Sequence, residues 1–248
     1  MGGQSSRRRI WIIGASSGIG RALAQALAAE GCDLVLSARD RAALDDLALD
    51  CPGALVLPLD LARPEQLQAA VAAISPGSLD AVICAAALYQ PRLVRDIDDE
   101  MLAQLVEVNL TSMFRIARDV PVLLRDGGQL VLFGSVAGYV GLPRGQPYSA
   151  TKAAIANLAE TLRVELAPRT DVRLVSPGFV RTRLTDMNDF DMPAIITPEE
   201  AAREILAGLR GRGFEIHVPR RFTLAIKLLR ALPYRLSLAI TARLGRFS

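Results

Sequence analysis

Arg9-Ile10-Trp11-Ile12-Ile13-Gly14-Ala15-Ser16-Ser17-Gly18-Ile19-Gly20 is an apolar run that ends on glycine and then passes through a small, hydroxyl-bearing turn. From Gly18 to Glu30 the spacing becomes helical, with Ile19, Leu23 and Leu27 on one face. The stretch therefore reads as strand, turn, helix. Gly14, Gly18 and Gly20 permit a tight turn and close backbone approach, the helix start supplies unpaired N–H groups for a phosphate, and Ser16 and Ser17 add hydroxyl donors. Glycine is common in any strand-to-helix turn, so the nucleotide reading depends on the remainder of the chain.

A second strand, residues 33–38, leads into Arg39-Asp40 and a helix through Asp50. The end of this strand would meet the adenosine ribose. A site for NAD places a carboxylate there for the 2′-hydroxyl, whereas NADP requires that charge to be absent and a cation to be near. The chain offers Ser37, Ala38 and Arg39, which favours NADP(H); Asp40, one place on, is read as support for the helix start. A third strand, 54–59, ends in Asp60-Leu61, with Asp60 positioned to face the adenine, before a helix over 64–73 that carries Pro64 in its first turn. The fourth strand, 79–84, runs into Ala85-Ala86-Ala87, small enough for a cofactor to pass close to the backbone. A long helix is expected over 98–124, with Asn109 as a polar residue among Val106, Val108, Leu110 and Phe114. The fifth strand, 129–133, ends at Gly134-Ser135, a helix covers 146–167, and the sixth strand, 171–176, ends on Pro177-Gly178. This alternation implies an α/β fold, a doubly wound parallel sheet with helices on both faces and ligands at the carboxyl edge of the strands. Gly14, Arg39, Asp60, Ser135 and Pro177-Gly178 all follow strand ends.

The helix over 146–167 carries Tyr148 and Lys152, an i,i+4 pair that shares one face. A free phenol titrates at about 10, and an ammonium close by lowers that value by favouring the phenolate. The chain has 27 arginines and two lysines, Lys152 and Lys227, so an ammonium at position 152 is specific. The plain alternative is a half-buried tyrosine beside a solvated lysine.

Taken together and in order, Gly14-Ala-Ser-Ser-Gly-Ile-Gly20, Asn109, Ser135, Tyr148-x-x-x-Lys152 and Pro177-Gly178-Phe-Val-Arg-Thr182 resemble the short-chain dehydrogenase/reductase family over roughly residues 9–218. The resemblance implies a Rossmann-like sheet of about seven strands, a nicotinamide cofactor, a small carbonyl or alcohol substrate and a homodimer or homotetramer. It implies that Tyr148 gives or takes the proton on the substrate oxygen and that Ser135 orients that oxygen. Lys152 would hold the nicotinamide ribose and depress the tyrosine pKa, and Asn109 would bend its helix and seat a proton-relaying water. Gly14, Ser16, Ser17, Gly18, Ile19, Gly20, Arg39, Asp60, Leu61, Ala86, Tyr148, Lys152, Pro177, Gly178, Val180 and Thr182 would contact the cofactor. Two departures stand out: Cys84-Ala85-Ala86-Ala87 replaces the family's Asn-Asn-Ala-Gly, removing an amide that ties neighbouring strands, and Ile13 replaces a threonine.

At 248 residues and 51% hydrophobic content, a single well-filled domain is expected, with residues 1–8 as a loose N-terminus. Cys32, Cys51 and Cys84 form no paired motif, and His217 is the one histidine, so disulfide frameworks, zinc sites and histidine triads lack material and a reduced cytoplasm fits. No metal and no nucleic-acid partner is expected. A cofactor-binding scaffold that has stopped turning over is opposed by the intact Asn109, Ser135, Tyr148 and Lys152, and a nucleotide-sugar epimerase needs a larger substrate domain. A loop from Arg183 to Thr197, with Leu184, Met187, Phe190, Met192, Ile195 and Ile196, suits an apolar, shape-variable ligand. The last 30 residues, 219–248, hold seven basic side chains and no acid, while the first 218 carry 22 basic and 26 acidic, a balance of −4. Phe222–Leu232 and Tyr234–Leu244 read as two apolar helices parted by Pro233. They either cap the pocket or a subunit interface, or lie on the inner face of the membrane.

Overall fold

β1 (Arg9–Ile13) has four fully buried residues after Arg9, because helices cover both faces of its sheet and an alternating pattern would place polar groups in a core. In the computed structural model, which describes residues 7–141, 144–188 and 192–244, six more parallel strands join it: β2 (Asp33–Ser37), β3 (Leu55–Val56), β4 (Leu79–Cys84), β5 (Leu124–Phe133), β6 (Thr170–Pro177) and β7 (Glu215–Val218). Residues 1–6 of the expected loose N-terminus, Phe190 of the expected pocket loop and Arg246 of the tail lie outside the described residues. The sheet order is β3-β2-β1-β4-β5-β6-β7, so the chain reverses its direction of travel between β1 and β4 and opens a crevice at their carboxyl ends.

Ile10 and Ile12 point to one face, covered by α1 (Gly18–Ala29), α2 (Arg41–Asp50) and α7 (Pro198–Arg210), where Leu23, Leu44 and Ile205 are buried. Trp11 and Ile13 point to the other, covered by α3 (Pro64–Ala72), α5 (Ser112–Asp119) and α6 (Gln146–Glu165), with Leu67, Ile116 and Ile155. The Trp11 indole satisfies its N–H on Ser37 Oγ at 2.9 Å, so a large ring enters the core without an orphaned donor. α8 (Arg220–Ala231) and α9 (Tyr234–Leu244) follow β7, two helices where two were expected.

Three boundaries differ from the sequence expectation. The third strand is paired only at Leu55–Val56, although Leu57 and Leu59 N–H still reach Leu36 and Ala38 carbonyls at 2.9 Å; Pro58 between them faces the open edge of the sheet, where a missing N–H costs no bond. The single helix expected over 98–124 is α4 (Asp99–Val106), a π-helical turn at Glu107–Thr111 and α5, which stops before Pro121. β5 begins at Leu124 rather than 129, and its pairing with β4 shifts register between Leu79 and Ala81, beside Gly127 at φ +77°.

Candidate active site

The crevice is shaped by missing side chains. Gly14 has φ +94°, and a Cβ there would lie 2.5 Å from the Ala86 nitrogen, while one on Gly20 would lie 2.0 Å from the Gly14 carbonyl oxygen. The turn after β1 thus folds back onto the first turn of α1 and presses against the turn after β4. Thr182 closes a third side, its methyl 2.9 Å from where a Gly18 Cβ would stand. Ser17 is the N-cap residue of α1, yet its side chain caps nothing and the first turn holds no acid, which leaves the helix start suited to an anion. Ser16 lies in the same turn, and Ile19 packs against the core beneath.

Arg39 is exposed at the end of β2. Asp40 accepts the Ala43 N–H at 3.0 Å and so caps α2, the role read for it in the sequence. Asp60 Oδ1 accepts the Ala62 N–H at 3.0 Å, and the Asp60 N–H donates to Gln66 Oε1 at 2.8 Å, which shapes the turn after β3. Leu61 is 5% exposed, its side chain in the core. Where the family's amide is missing, Ala85 and Ala86 N–H both bond the Ile13 carbonyl at 2.8 and 3.1 Å, so main chain alone ties the ends of β1 and β4.

Three of the four expected catalytic residues meet directly. Ser135 leaves β5, accepts the Ala137 N–H at 3.1 Å and hydrogen-bonds the Tyr148 phenol in the first turn of α6. Lys152, one turn on and 4% exposed, donates to the Phe133 carbonyl at 2.7 Å and lies 5.5 Å from the centre of the Tyr148 ring. Asn109 is buried in the π-helical turn between α4 and α5. Both its amide atoms are taken by one residue: Oδ1 accepts the Leu88 N–H at 2.7 Å and Nδ2 donates to the Leu88 carbonyl at 2.8 Å. The next residue, Tyr89, meets Tyr148 edge to face with ring centres 5.0 Å apart and donates to Asn188 Oδ1 at 2.8 Å. Tyr89 was not singled out in the sequence, since no spacing rule links it to position 148.

Burial pushes the Tyr148 phenol up to about 12; the Ser135 hydrogen bond acts downward and Tyr89 acts upward. Burial also brings the Lys152 ammonium down to about 8. The expected lowering of the phenol by Lys152 is therefore not what the geometry gives, because the ammonium is bound to a carbonyl and faces the ring.

Beyond β6, the Gly178 N–H bonds the Val218 carbonyl at 2.6 Å, and a Cβ on Gly178 would lie 2.8 Å from the Phe222 ring of α8. Phe179 and Phe222 pack with ring centres 5.8 Å apart. Val180, 3% exposed, bridges Ile196, and the Thr182 N–H donates to Thr185 Oγ1 at 2.8 Å, so the segment from Pro177 to Thr182 is pinned on both sides. Behind it, Glu215 gathers Tyr139, Ser176 and Lys227, with the His217 ring 3.5 Å away. Burial alone would raise the Glu215 carboxyl, but hydrogen bonds from Lys227, Ser176 and Tyr139 outweigh it and hold the pKa below the usual value. Among the described residues no cluster could hold a metal ion.

Residues 8–192 match the family model described as short chain dehydrogenase. An 11-beta-hydroxysteroid dehydrogenase A of Sesamum indicum is 31% identical over 229 residues, which is 82% of this chain and 66% of that protein. The chain spans about two thirds or less of the length of the first curated relatives it matches. A short chain dehydrogenase of Burkholderia cenocepacia J2315, solved in complex with NADP, aligns with a TM-score of 0.83 at 27% identity over 96% of this chain and 97% of that one. A short-chain dehydrogenase of Sphingobium yanoikuyae in complex with NADPH aligns with a TM-score of 0.76 at 27% identity over 96% and 94%.

Proposed function

Because the chain belongs to the short-chain dehydrogenase/reductase family, we propose that it is an NADP(H)-dependent oxidoreductase interconverting a carbonyl and an alcohol on an apolar, lipid-like substrate. The observation that carries this reading is the Ser135–Tyr148 hydrogen bond at the rim of a glycine-walled crevice, with Lys152 buried beneath the phenol.

The residues fit a dinucleotide. The Gly14–Gly20 turn and the start of α1 leave room for main chain to approach a pyrophosphate, and no Cβ could be added at Gly14 or Gly20 without meeting backbone. Arg39, with Ala38 before it and Asp40 engaged in capping, supports the 2′-phosphate form, as does the NADP or NADPH bound in the related structures. Asp60 and Leu61 would line the adenine, Ala86 the pyrophosphate path, and Pro177, Gly178, Val180 and Thr182 the nicotinamide. When bound there, the nicotinamide would supply or accept the hydride. A phenol held near 12 is protonated at neutral pH, so Tyr148 stands ready as a donor to the oxygen of a carbonyl as negative charge grows on it. The Ser135 hydroxyl shares that oxygen and fixes its place. Lys152 holds its proton at neutral pH and loses it just above, a suitable source from which to recharge the tyrosine. Asn109 acts on the site through the Leu88–Tyr89 main chain.

Met187, 44% exposed, and the partly buried Leu184, Met192 and Ile196 flank the crevice and support an apolar ligand. The reading includes assembly as a homodimer or homotetramer in the cytoplasm, supported by the exposed Phe114 on α5 and by three free cysteines. NADPH oxidation followed by absorbance over a panel of ketones and aldehydes tests the activity. Failure of every carbonyl, with tight NADPH binding intact, would return the scaffold reading.

A further inference from the structure

We propose that α8 and α9 form a face that binds the surface of an anionic lipid bilayer. The two helices are only half embedded. On α8, Thr223 and Leu229 are buried, Phe222 packs on Phe179, and Lys227 pairs with Glu215, so the helix is fastened to the rim of the crevice. Its opposite stripe, Leu224, Leu228 and Leu232 at i,i+4 spacing, is exposed, Leu228 by 71%. α9 is turned against ordinary expectation. It buries Ser237 and Thr241, whose hydroxyls bond carbonyls of their own helix at 3.4 and 3.1 Å, and leaves Leu236 and Leu238 56% and 60% exposed. A helix with its hydroxyls inward and its leucines outward suits a medium less polar than water on the outer side.

Charge selects the occupant. Residues 219–248 carry seven basic side chains and no acid, and Arg220, Arg221 and Arg235 are exposed. A second copy seated by a two-fold axis would set these arginines against their own kind. Docking of α8 on the rim, as a cap, accounts for its inner side and leaves the outward leucines without a role. A bilayer rich in anionic headgroups meets both features at once, and Tyr234, 83% exposed at the joint, is the residue type that settles at such a boundary. The helices lie on the surface, since no described helix is long and apolar enough to cross it. Given the oxidoreductase activity proposed above, and resting on it, the crevice would open beside the bilayer that stores its substrate.

Flotation of the full chain with phosphatidylglycerol-containing vesicles and with pure phosphatidylcholine vesicles, at low salt, tests the face. The wild type should rise with the first and not the second. Leu228→Glu combined with Leu236→Glu should lower the bound fraction roughly tenfold or more while elution volume and melting temperature stay unchanged, since both positions are exposed. No flotation of the wild type, unchanged flotation of the variant, or a larger wild-type assembly that the substitutions dissolve without any lipid binding would each overturn the proposal. The readout needs no turnover, so a failed activity assay with intact flotation would count against the oxidoreductase reading alone.

Discussion

At Tyr148 the pull of burial exceeds that of its partners, and the phenol stays protonated through neutrality. Tyr148→Phe keeps the ring against Tyr89 but removes the proton, so steady-state turnover should fall by about 10² to 10⁴ while NADPH titration is unchanged. Arg39→Leu should weaken NADPH binding about tenfold to a hundredfold and leave NADH binding alone, which calorimetry with both cofactors would show. Lys152 gives a signed pH prediction. Its pKa falls from 10.5 to about 8 on burial, so between these values the unfolded chain binds more protons than the folded one and stability rises with pH. Below about 8 the burial cost is present in full. Lys152→Met should therefore gain on the wild type by up to roughly 3 kcal/mol near neutrality and lose that advantage by pH about 10.5, as denaturant melts across the range would report. Tyr148 and Lys152 were legible as a pair from helix spacing and Ser135 as a residue at a strand end, while their union as one set was implied by the family resemblance. Tyr89 and Glu215 were not legible, because each acquires its neighbours only when distant segments fold onto one another.

Between β1 and α1 the glycines act as one element. Gly20→Ala would drive a methyl group into the Gly14 carbonyl 2.0 Å away, and the expected outcome is a loss of several kcal/mol in a thermal melt together with lost NADPH binding. The same turn was legible from the chain alone, since an apolar run, glycines and helical spacing succeed one another without interruption. Less legible was the stretch over 98–124, where periodicity alone ran on through the π-helical turn and past Pro121. The attachment of α8 is also an element-scale property. Glu215 is held below its usual pKa by bonds that include one from Lys227, so its stabilising effect is present above about 4.5 and is lost as pH falls through its lowered folded value. Glu215→Gln at neutral pH should loosen α8 and speed hydrogen exchange over residues 220–231 by about tenfold, with little change in α1.

Across the whole molecule, the parallel sheet and a ligand crevice at the carboxyl ends of its strands followed from the sequence, because alternating strands and helices leave few alternatives, whereas the strand order emerged only in the fold. The charge division was also visible in the sequence, −4 over the first 218 residues and +7 beyond, but not which side of α9 faces outward. That orientation arises from how the tail docks, through Phe222 and Lys227, and no helical pattern predicts hydroxyls turned inward. The scarcity of lysine has a practical consequence. With two lysines in 248 residues, protein grown on carbon-13 lysine should give two ε-methylene resonances. The one from Lys152, close to the face of the Tyr148 ring, should be displaced by the ring current and move with a midpoint near pH 8. The spectrum is then a direct meter of the buried amine, and saturating NADPH should shift that resonance and spare its companion at Lys227.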